Sequence, residues 1–599
     1  MMTNNLASMH RETCRRLGPN CALRFKRWGR YRDFSWHDYR RDADGAAVGL
    51  IKLGVQSGDR VAMLSENRYE WLVADHAILS AGAATVPMHA PLTPPQVAYQ
   101  VEHSEARGII VSNQAQVDKV CEVLAELPRL EFLISFEPLV APSPPTPLPR
   151  WGEGRELVEP VAGCARDRAP LTPNPSPPSG ARGDSVVDRL RVLTWDGLKH
   201  RGWQRGADGL NEILRREAVL TADELATIIY TSGTTGNPKG VMLTHGNLLS
   251  NAAATVKVSD LRPGDIELSW LPYSHIYART VDHYATTLSG TVLALAESIE
   301  TLTTNLAEVQ PTWMTAVPRF YEKVWSSVES MSPAERSAEL HRIFGPRLRQ
   351  LSSGGAPLPR HVADGFDAAG VPLLEGYGLT ESSPVISFNR LDCYRLGSVG
   401  QAVPGVEVRI ADDGEILTRG PHVMRGYWKN PEATADTIRD GWLFTGDIGH
   451  VDAGGFLFIT GRKKDLIITS LGKNISPSEL ERLLVSDPLI DQAVVYGDRR
   501  PYVTALVVPN LENLALQSAT LAGDLQIADG YIRNPAVIEL FQKRVDAVMQ
   551  AVSQPERVRK ILLRARPFQL ADDEVTATLK VRRHHIISKC EAELSALYE

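Results

Sequence analysis

Between Arg60 and Val111, short apolar runs alternate with helical segments, and this alternation narrows the fold more than any other feature of the chain. Arg60-Val61-Ala62-Met63-Leu64 reads as a strand and Tyr69 to Leu79 as an amphipathic helix. Ala84 to Pro87 is a second strand, Pro94 to His103 a second helix, and Gly108 to Val111 a third strand. Strands that alternate with helices predict a largely parallel sheet covered on both faces. The pattern resumes at Leu225 and gives further strands over Leu268 to Pro272, Thr291 to Leu295, Thr312 to Val317 and Leu348 to Ser352. From Gly397 to Ile459 it yields to short strands and glycine turns, which suggests a small antiparallel or barrel-like subdomain. Beyond Gly461, a helix from Ser476 to Leu484, strands at Ala493 to Tyr496 and Val503 to Val508, and further helices form a compact α+β segment. The fold class is α/β: a large N-terminal domain of doubly wound, mostly parallel sheets with a β-rich subdomain, followed by an α+β C-terminal domain.

A chain of 599 residues exceeds one hydrophobic core. The expected division is 1–460 and 461–599. Between 141 and 184 the pattern collapses into two proline clusters, Pro142 to Pro149 and Pro170 to Pro178, too poor in apolar residues to repay their own ordering entropy. The reading is a disordered and dispensable insertion; a proline-rich docking motif is the alternative.

The net charge of −6 gives no support for nucleic-acid binding. Six cysteines without a CxxC pair read as reduced thiols of a cytoplasmic protein. No apolar run approaches the ~18 residues that a membrane span needs, and Arg11, Arg15 and Arg16 precede no apolar signal core. Arg24, Lys26, Arg27, Arg30 and Arg32 alternate with Phe25, Trp28, Tyr31 and Phe34. A solvated strand pair is the first reading, and peripheral contact with a membrane the second.

The chemistry concentrates in four strings. Leu225 to Ile229 reads as a buried strand that leads into Tyr230-Thr231-Ser232-Gly233-Thr234-Thr235-Gly236-Asn237-Pro238-Lys239-Gly240. Glycines let backbone N–H groups approach phosphate oxygens, hydroxyls add donors, and a lysine adds charge. By composition alone, a polar hairpin turn fits equally well. Leu374-Glu375-Gly376-Tyr377-Gly378-Leu379-Thr380-Glu381 ends a predicted strand, Val371 to Leu374, where sheets of this class bind ligands. Its Thr380-Glu381 pair could equally cap a helix. In Trp442-Leu443-Phe444-Thr445-Gly446-Asp447 the aspartate could simply stabilise a turn. Thr576-Ala577-Thr578-Leu579-Lys580-Val581-Arg582-Arg583 could be a solvated basic face.

In their order and wording these strings resemble the adenylate-forming (AMP-binding) superfamily, from about Ser35 to the end apart from the proline-rich insertion. Ser274-His275-Ile276-Tyr277-Ala278-Arg279 and Val317-Pro318-Arg319-Phe320-Tyr321-Glu322-Lys323-Val324 look most like its long-chain fatty acyl-CoA synthetase branch. The resemblance implies ATP, Mg²⁺ and coenzyme A as cofactors and co-substrates. Thr231, Ser232, Gly233, Thr234, Thr235, Gly236 and Lys239 would cradle the triphosphate. Glu381 and Thr235 would hold the metal, and Thr380 a phosphate oxygen. Gly355 and Ala356, in Ser353-Gly354-Gly355-Ala356-Pro357-Leu358, would line the adenine side together with Gly376, Tyr377 and Gly378. Asp447 would take the ribose hydroxyls, with Arg462 assisting, and His275 would lie beside the acyl carboxylate. Lys580 would be the catalytic lysine of a mobile C-terminal domain that turns about a hinge at Lys464. Ala577 stands where relatives often have proline, and Asp573-Glu574 where they have Gly-Glu.

The implied activity is ATP-dependent ligation of a long-chain fatty acid to coenzyme A. Alternatives are a ligase that loads a carrier protein in trans or takes aryl or medium-chain acids, and a non-catalytic acyl- or nucleotide-binding module.

Overall fold

The computed structural model describes residues 4–139, 190–231, 238–469, 474–523, 525–569, 572, 574–575 and 581–599. The expected insertion at 141–184 therefore lies outside the described residues. The chain forms two compact units. One comprises Met1–Asn305, Thr380–Pro384 and Pro421–Ala435, the other Leu306–Leu379, Val385–Gly420 and Asp436–Glu599.

The first unit contains an eight-stranded sheet. Its order is Gly426–Tyr427, Lys239–Thr244, Leu225–Thr231, Ala84–Met88, Arg60–Leu64, Gly108–Val111, Phe132–Ser135 and Arg191–Thr194. Arg60–Leu64 pairs in parallel with a neighbour on each side, and the parallel run continues to Arg191–Thr194. Leu225–Thr231 and Lys239–Thr244 instead pair antiparallel, as a hairpin. The central strands are buried along their length, so they are apolar on both faces, as parallel strands must be when covered on both sides. Ile266–Ser269, Val292–Leu295 and Cys21–Arg27 run parallel, and Arg30–Ser35 closes that edge antiparallel.

The helix over Tyr69–Ser80 departs from the amphipathic expectation: every residue from Glu70 to Ser80 is buried. The polar Asp75 is tolerated because a network satisfies its charge, while the His76 ring stacks on His10 at 3.9 Å between centroids. The Asp75 carboxylate takes Arg279 Nη2 at 2.5 Å, the Tyr284 hydroxyl at 2.6 Å and the Thr85 hydroxyl at 2.7 Å. Arg279 also donates to Thr227 Oγ1 at 2.6 Å. Arg279 starts a π-helical turn, Arg279–Tyr284, which brings its guanidinium and the Tyr284 hydroxyl to the same carboxylate. Removing one partner of such a fully buried pair typically costs about 3–5 kcal/mol.

In the second unit, Trp313–Ala316, Gln350–Ser353 and Leu373–Gly378 run parallel, and Val385–Phe388 and Gln401–Ala402 extend them antiparallel. The strand expected over Val371 to Leu374 thus runs on through Gly378, because its last residues find a second partner in Val385–Phe388. Glu407–Ile410, Glu415–Arg419, Trp442–Val451, Ile438–Arg439 and Leu457–Arg462 make the small antiparallel sheet. Beyond it, Ile490–Tyr496, Val503–Pro509 and Val558–Leu563 form a three-stranded sheet. Leu480 and Leu484 of helix Pro477–Leu484, and Phe541 and Val545 of helix Pro535–Val548, pack on one core with those strands. Among the described residues, no helix is long and apolar enough to cross a membrane.

Candidate active site

In the first unit, the glycine-rich string begins and ends on paired strands. Thr231 closes one strand, Lys239 opens the next, and the two are register partners. Ser232, Gly233, Thr234, Thr235 and Gly236 lie outside the described residues. Just past them, Pro238 is anchored by the Tyr99 hydroxyl, which donates to its carbonyl at 3.0 Å. The Lys239 ammonium lies 4.8 Å from the centre of the Tyr427 ring, a cation–π contact.

Thr380 and Glu381 sit on a short 3₁₀ turn, Thr380–Ser382. Three bonds fix this turn. The Met424 N–H donates to the Glu381 carbonyl at 2.8 Å, the Thr280 hydroxyl donates to the Ser383 carbonyl at 2.9 Å, and the Tyr427 hydroxyl donates to Glu381 Oε1 at 2.9 Å. Thr280 belongs to the π-helical turn that Arg279 and Asp75 secure, so the buried ion pair indirectly supports the carboxylate's position.

Among the described residues no group of three or more His, Cys, Asp or Glu side chains gathers as a metal site. A lone carboxylate suits Mg²⁺, which is usually held by one or two carboxylates together with waters and substrate phosphates. The donor chemistry at Glu381 fits that ion. His275 is half-buried, and its Nδ1 accepts the Tyr277 N–H at 3.2 Å, capping the turn Ile276–Ala278.

In the second unit, Asp447 and Arg462 face each other across the hairpin of Trp442–Val451 and Leu457–Arg462. Arg462 Nε donates to Asp447 Oδ1 at 2.8 Å, and the Tyr377 hydroxyl donates to Oδ2 at 2.7 Å. Burial pushes the Tyr377 phenol well above its usual range, so it keeps its proton and acts as donor. Each carboxylate oxygen retains a second lone pair, which leaves Asp447 able to accept two further hydroxyls. Gly376 has no room for a side chain: a Cβ there would lie 2.7 Å from Phe388 Cδ2. Gly378 ends the same strand. Gly355 adopts φ +83° just past strand Gln350–Ser353, and exposed Gly355 and half-buried Ala356 form the turn there.

Glu375, next to these residues, was missed by the motif reading. Burial pushes its carboxyl up to about 7, against the pull of the Leu358 and Gly397 N–H groups and of Arg360 and Arg482. Tyr427 was missed as well, since nothing in Gly426-Tyr427-Trp428 distinguishes it from core aromatics.

Lys464 is exposed on the 3₁₀ turn Lys463–Asp465. Lys580 lies outside the described residues, but its flanks do not: Val575 and Val581 form an antiparallel bridge, and the Arg582 N–H donates to the Glu574 carbonyl at 2.8 Å. The solvated-face reading of the basic run is corrected at Arg583. Its guanidinium is largely buried, bonding Glu481 Oε1 at 2.9 Å and Asp465 Oδ2 at 3.0 Å. Two carboxylates within reach hold it inside, where a basic run without partners would face water.

Comparison with known proteins bears on the whole chain. Residues 11–428 match the family described as AMP-binding enzyme, and residues 464–599 match the AMP-binding enzyme C-terminal domain. The long-chain-fatty-acid–CoA ligase FadD15 of Mycobacterium bovis is 32% identical over 597 aligned residues, covering 92% of this chain and 90% of that protein. The chloroplastic long-chain-fatty-acid–[acyl-carrier-protein] ligase AEE15 of Arabidopsis thaliana is 28% identical, over 92% of this chain and 81% of that one. Among solved structures, the anthranilate CoA ligase AuaEII in complex with anthranoyl-AMP superposes with a TM-score of 0.73 at 20% identity, covering 100% of this chain and 99% of that one. That likeness speaks for the fold.

Proposed function

This chain belongs to the AMP-binding enzyme family, and on that footing we propose that it is an ATP-dependent, AMP-forming ligase joining a long-chain fatty acid to coenzyme A. The observation that carries this reading is the likeness to FadD15 along nearly the whole of both chains. Lys239, Glu381, Asp447, Arg462 and Lys580 are all present, which weighs against a non-catalytic binding module.

The reaction has two steps. A fatty-acid carboxylate oxygen attacks the α-phosphorus of ATP, the bond to the bridging oxygen breaks, and pyrophosphate leaves from an acyl-AMP. The coenzyme A thiol, losing its proton, then attacks the acyl carbonyl and AMP leaves. The first step brings two anions together, so positive charge is its main requirement. In this reading the loop from Thr231 to Lys239 neutralises the departing pyrophosphate, and Thr380 donates to a phosphate oxygen. Asp447 accepts the ribose hydroxyls while Arg462 and Tyr377 hold it in place. Gly355 and Ala356 line the adenine side together with Gly376, Tyr377 and Gly378. His275 orients the acyl carboxylate, and Lys580 adds charge between that carboxylate and the α-phosphate. Mg²⁺, held by Glu381 and Thr235, would supply Lewis-acid neutralisation of the phosphates.

We place the domain boundary at 460/461 and the hinge at Lys464, where the C-terminal family match begins. Rotation there would carry Lys580 away once acyl-AMP has formed. Lys464→Pro should accordingly spare adenylate formation and block thioester formation.

The site of action we propose is the cytoplasm, with contact to a lipid surface. The hairpin of Cys21–Arg27 and Arg30–Ser35 leaves Arg27, Arg30 and Arg32 exposed, with Trp28 83% exposed at the tip. Arginines attract anionic headgroups and tryptophan prefers the membrane interface, which is where long-chain acids collect.

A panel of acids of increasing length, read by AMP formation, tests the substrate class. Long-chain acids should lead; preference for aryl or medium-chain acids would overturn the assignment. A carrier protein as acceptor is the second reading, favoured by the likeness to AEE15. Coenzyme A and holo-carrier offered separately distinguish the two.

A further inference from the structure

We propose that Tyr427 is a positioning residue that keeps Glu381 and Lys239 apart and aimed before the nucleotide arrives. The inference rests on the ATP-dependent reading above and adds a residue to it.

The two ends of one side chain meet two opposite charges. The phenol O–H donates to Glu381 Oε1 at 2.9 Å, and the ring face receives the Lys239 ammonium at 4.8 Å. Both contacts use chemistry specific to tyrosine: phenylalanine would lose the first, and an aliphatic residue both. A lysine and a glutamate gathered around one phenol would otherwise pair with each other. Paired, they would offer phosphate no free cation and a divalent ion no free carboxylate. With the phenol between them, the hydroxyl occupies one carboxylate oxygen and leaves the other for the ion, while the ring keeps the ammonium desolvated on one face and ready for phosphate.

The backbone gives Tyr427 little freedom to do anything else. Gly426–Tyr427 pairs antiparallel with the strand that Lys239 opens, placing Tyr427 opposite Val241. Gly426 sits at φ +140°, and a Cβ there would lie 2.7 Å from Thr434 Cγ2, so only glycine permits the approach. The Tyr427 N–H is held by Thr434 Oγ1 at 2.9 Å. On the other side, the Trp428 N–H donates to the Gly240 carbonyl at 2.7 Å and its indole N–H to the His103 carbonyl at 2.9 Å. The tyrosine is 7% exposed and fixed from both neighbours.

The test is equilibrium binding of a non-hydrolysable ATP analogue to the full chain, once with Mg²⁺ and once with EDTA, for wild type, Tyr427→Phe and Tyr427→Leu. Thermal unfolding is followed in parallel, to confirm that each variant folds. Tyr427→Phe should lose about fivefold to tenfold of the affinity gained from Mg²⁺, with the EDTA arm unchanged. Tyr427→Leu should in addition weaken the EDTA arm by about threefold, because the ammonium is no longer held. A Tyr427→Phe variant that gains as much from Mg²⁺ as wild type overturns the hydroxyl's role. Equal EDTA arms for the two variants overturn the ring's role. If wild type binds the analogue in neither arm, the ligase reading itself falls, and this inference with it.

Discussion

Tyr377 donates its hydroxyl to Asp447 Oδ2 at 2.7 Å, across seventy residues of chain, while Arg462 donates to the other oxygen of the same carboxylate at 2.8 Å. An aspartate held at both oxygens is fixed in orientation, which suits it to accept two vicinal hydroxyls. Tyr377→Phe removes one holder and leaves the ring packed, so ATP KM should rise by about threefold to tenfold with kcat little changed. Asp447→Ala leaves Arg462 unpaired as well and should raise KM further. Steady-state kinetics at saturating acid and coenzyme A check both, and an unchanged KM in Tyr377→Phe would show that the phenol does not matter for the nucleotide.

Glu375 predicts a pH dependence of stability. Its carboxyl is raised to about 7 by burial, above the unfolded value, so the folded chain binds the extra proton. The contribution is fully present below the unfolded value of about 4.5 and is lost as pH rises towards 7. Glu375→Gln abolishes the titration. The stability difference between variant and wild type should therefore shift in the variant's favour from pH 5 to 8, on the order of 2 kcal/mol. Denaturant unfolding across that range measures it, and a flat difference would contradict the shift.

The hairpin tip gives a surface prediction. The chain should co-sediment with vesicles containing anionic lipid and much less with neutral ones. Reversing Arg27, Arg30 and Arg32 to glutamate should abolish co-sedimentation, since each basic residue near such a surface is worth about 1 kcal/mol. These side chains are exposed, so turnover of a water-soluble acid should be unaffected. Equal binding to both vesicle types would remove the lipid surface from the account.

Much of this was legible in the sequence because the information is local. The parallel strands announce themselves as short apolar runs, and the string from Tyr230 to Gly240 is one contiguous stretch whose flanks pair as a hairpin. What stayed hidden depends on tertiary partners. The helix Tyr69–Ser80 carries Asp75 and His76, which lend it a polar face on paper; Arg279 and Tyr284, far along the chain, make the burial of Asp75 tolerable. Strand Leu373–Gly378 outruns its apolar core because Val385–Phe388 turns back to pair with it. Arg583 looks like a surface charge until Glu481 and Asp465 are beside it. Tyr427 meets Glu381 across 46 residues, and no periodicity encodes that contact.

Lys580→Ala should divide the two half-reactions. Acyl-AMP formation should fall by at least about a hundredfold, as expected for loss of a charge that acts in the transition state. Thioester formation from supplied acyl-AMP should stay near wild type. Equal loss in both would mean that another residue carries the charge, or that no rotation about Lys464 separates the steps.

The most direct measurement is exchange of labelled pyrophosphate into ATP, driven by a long-chain fatty acid in the absence of coenzyme A. A freely reversible acyl-AMP step predicts exchange that depends on the acid and on Mg²⁺, with net AMP release only after coenzyme A is added. No exchange with any long-chain acid, in a protein that nevertheless binds ATP, would contradict the account.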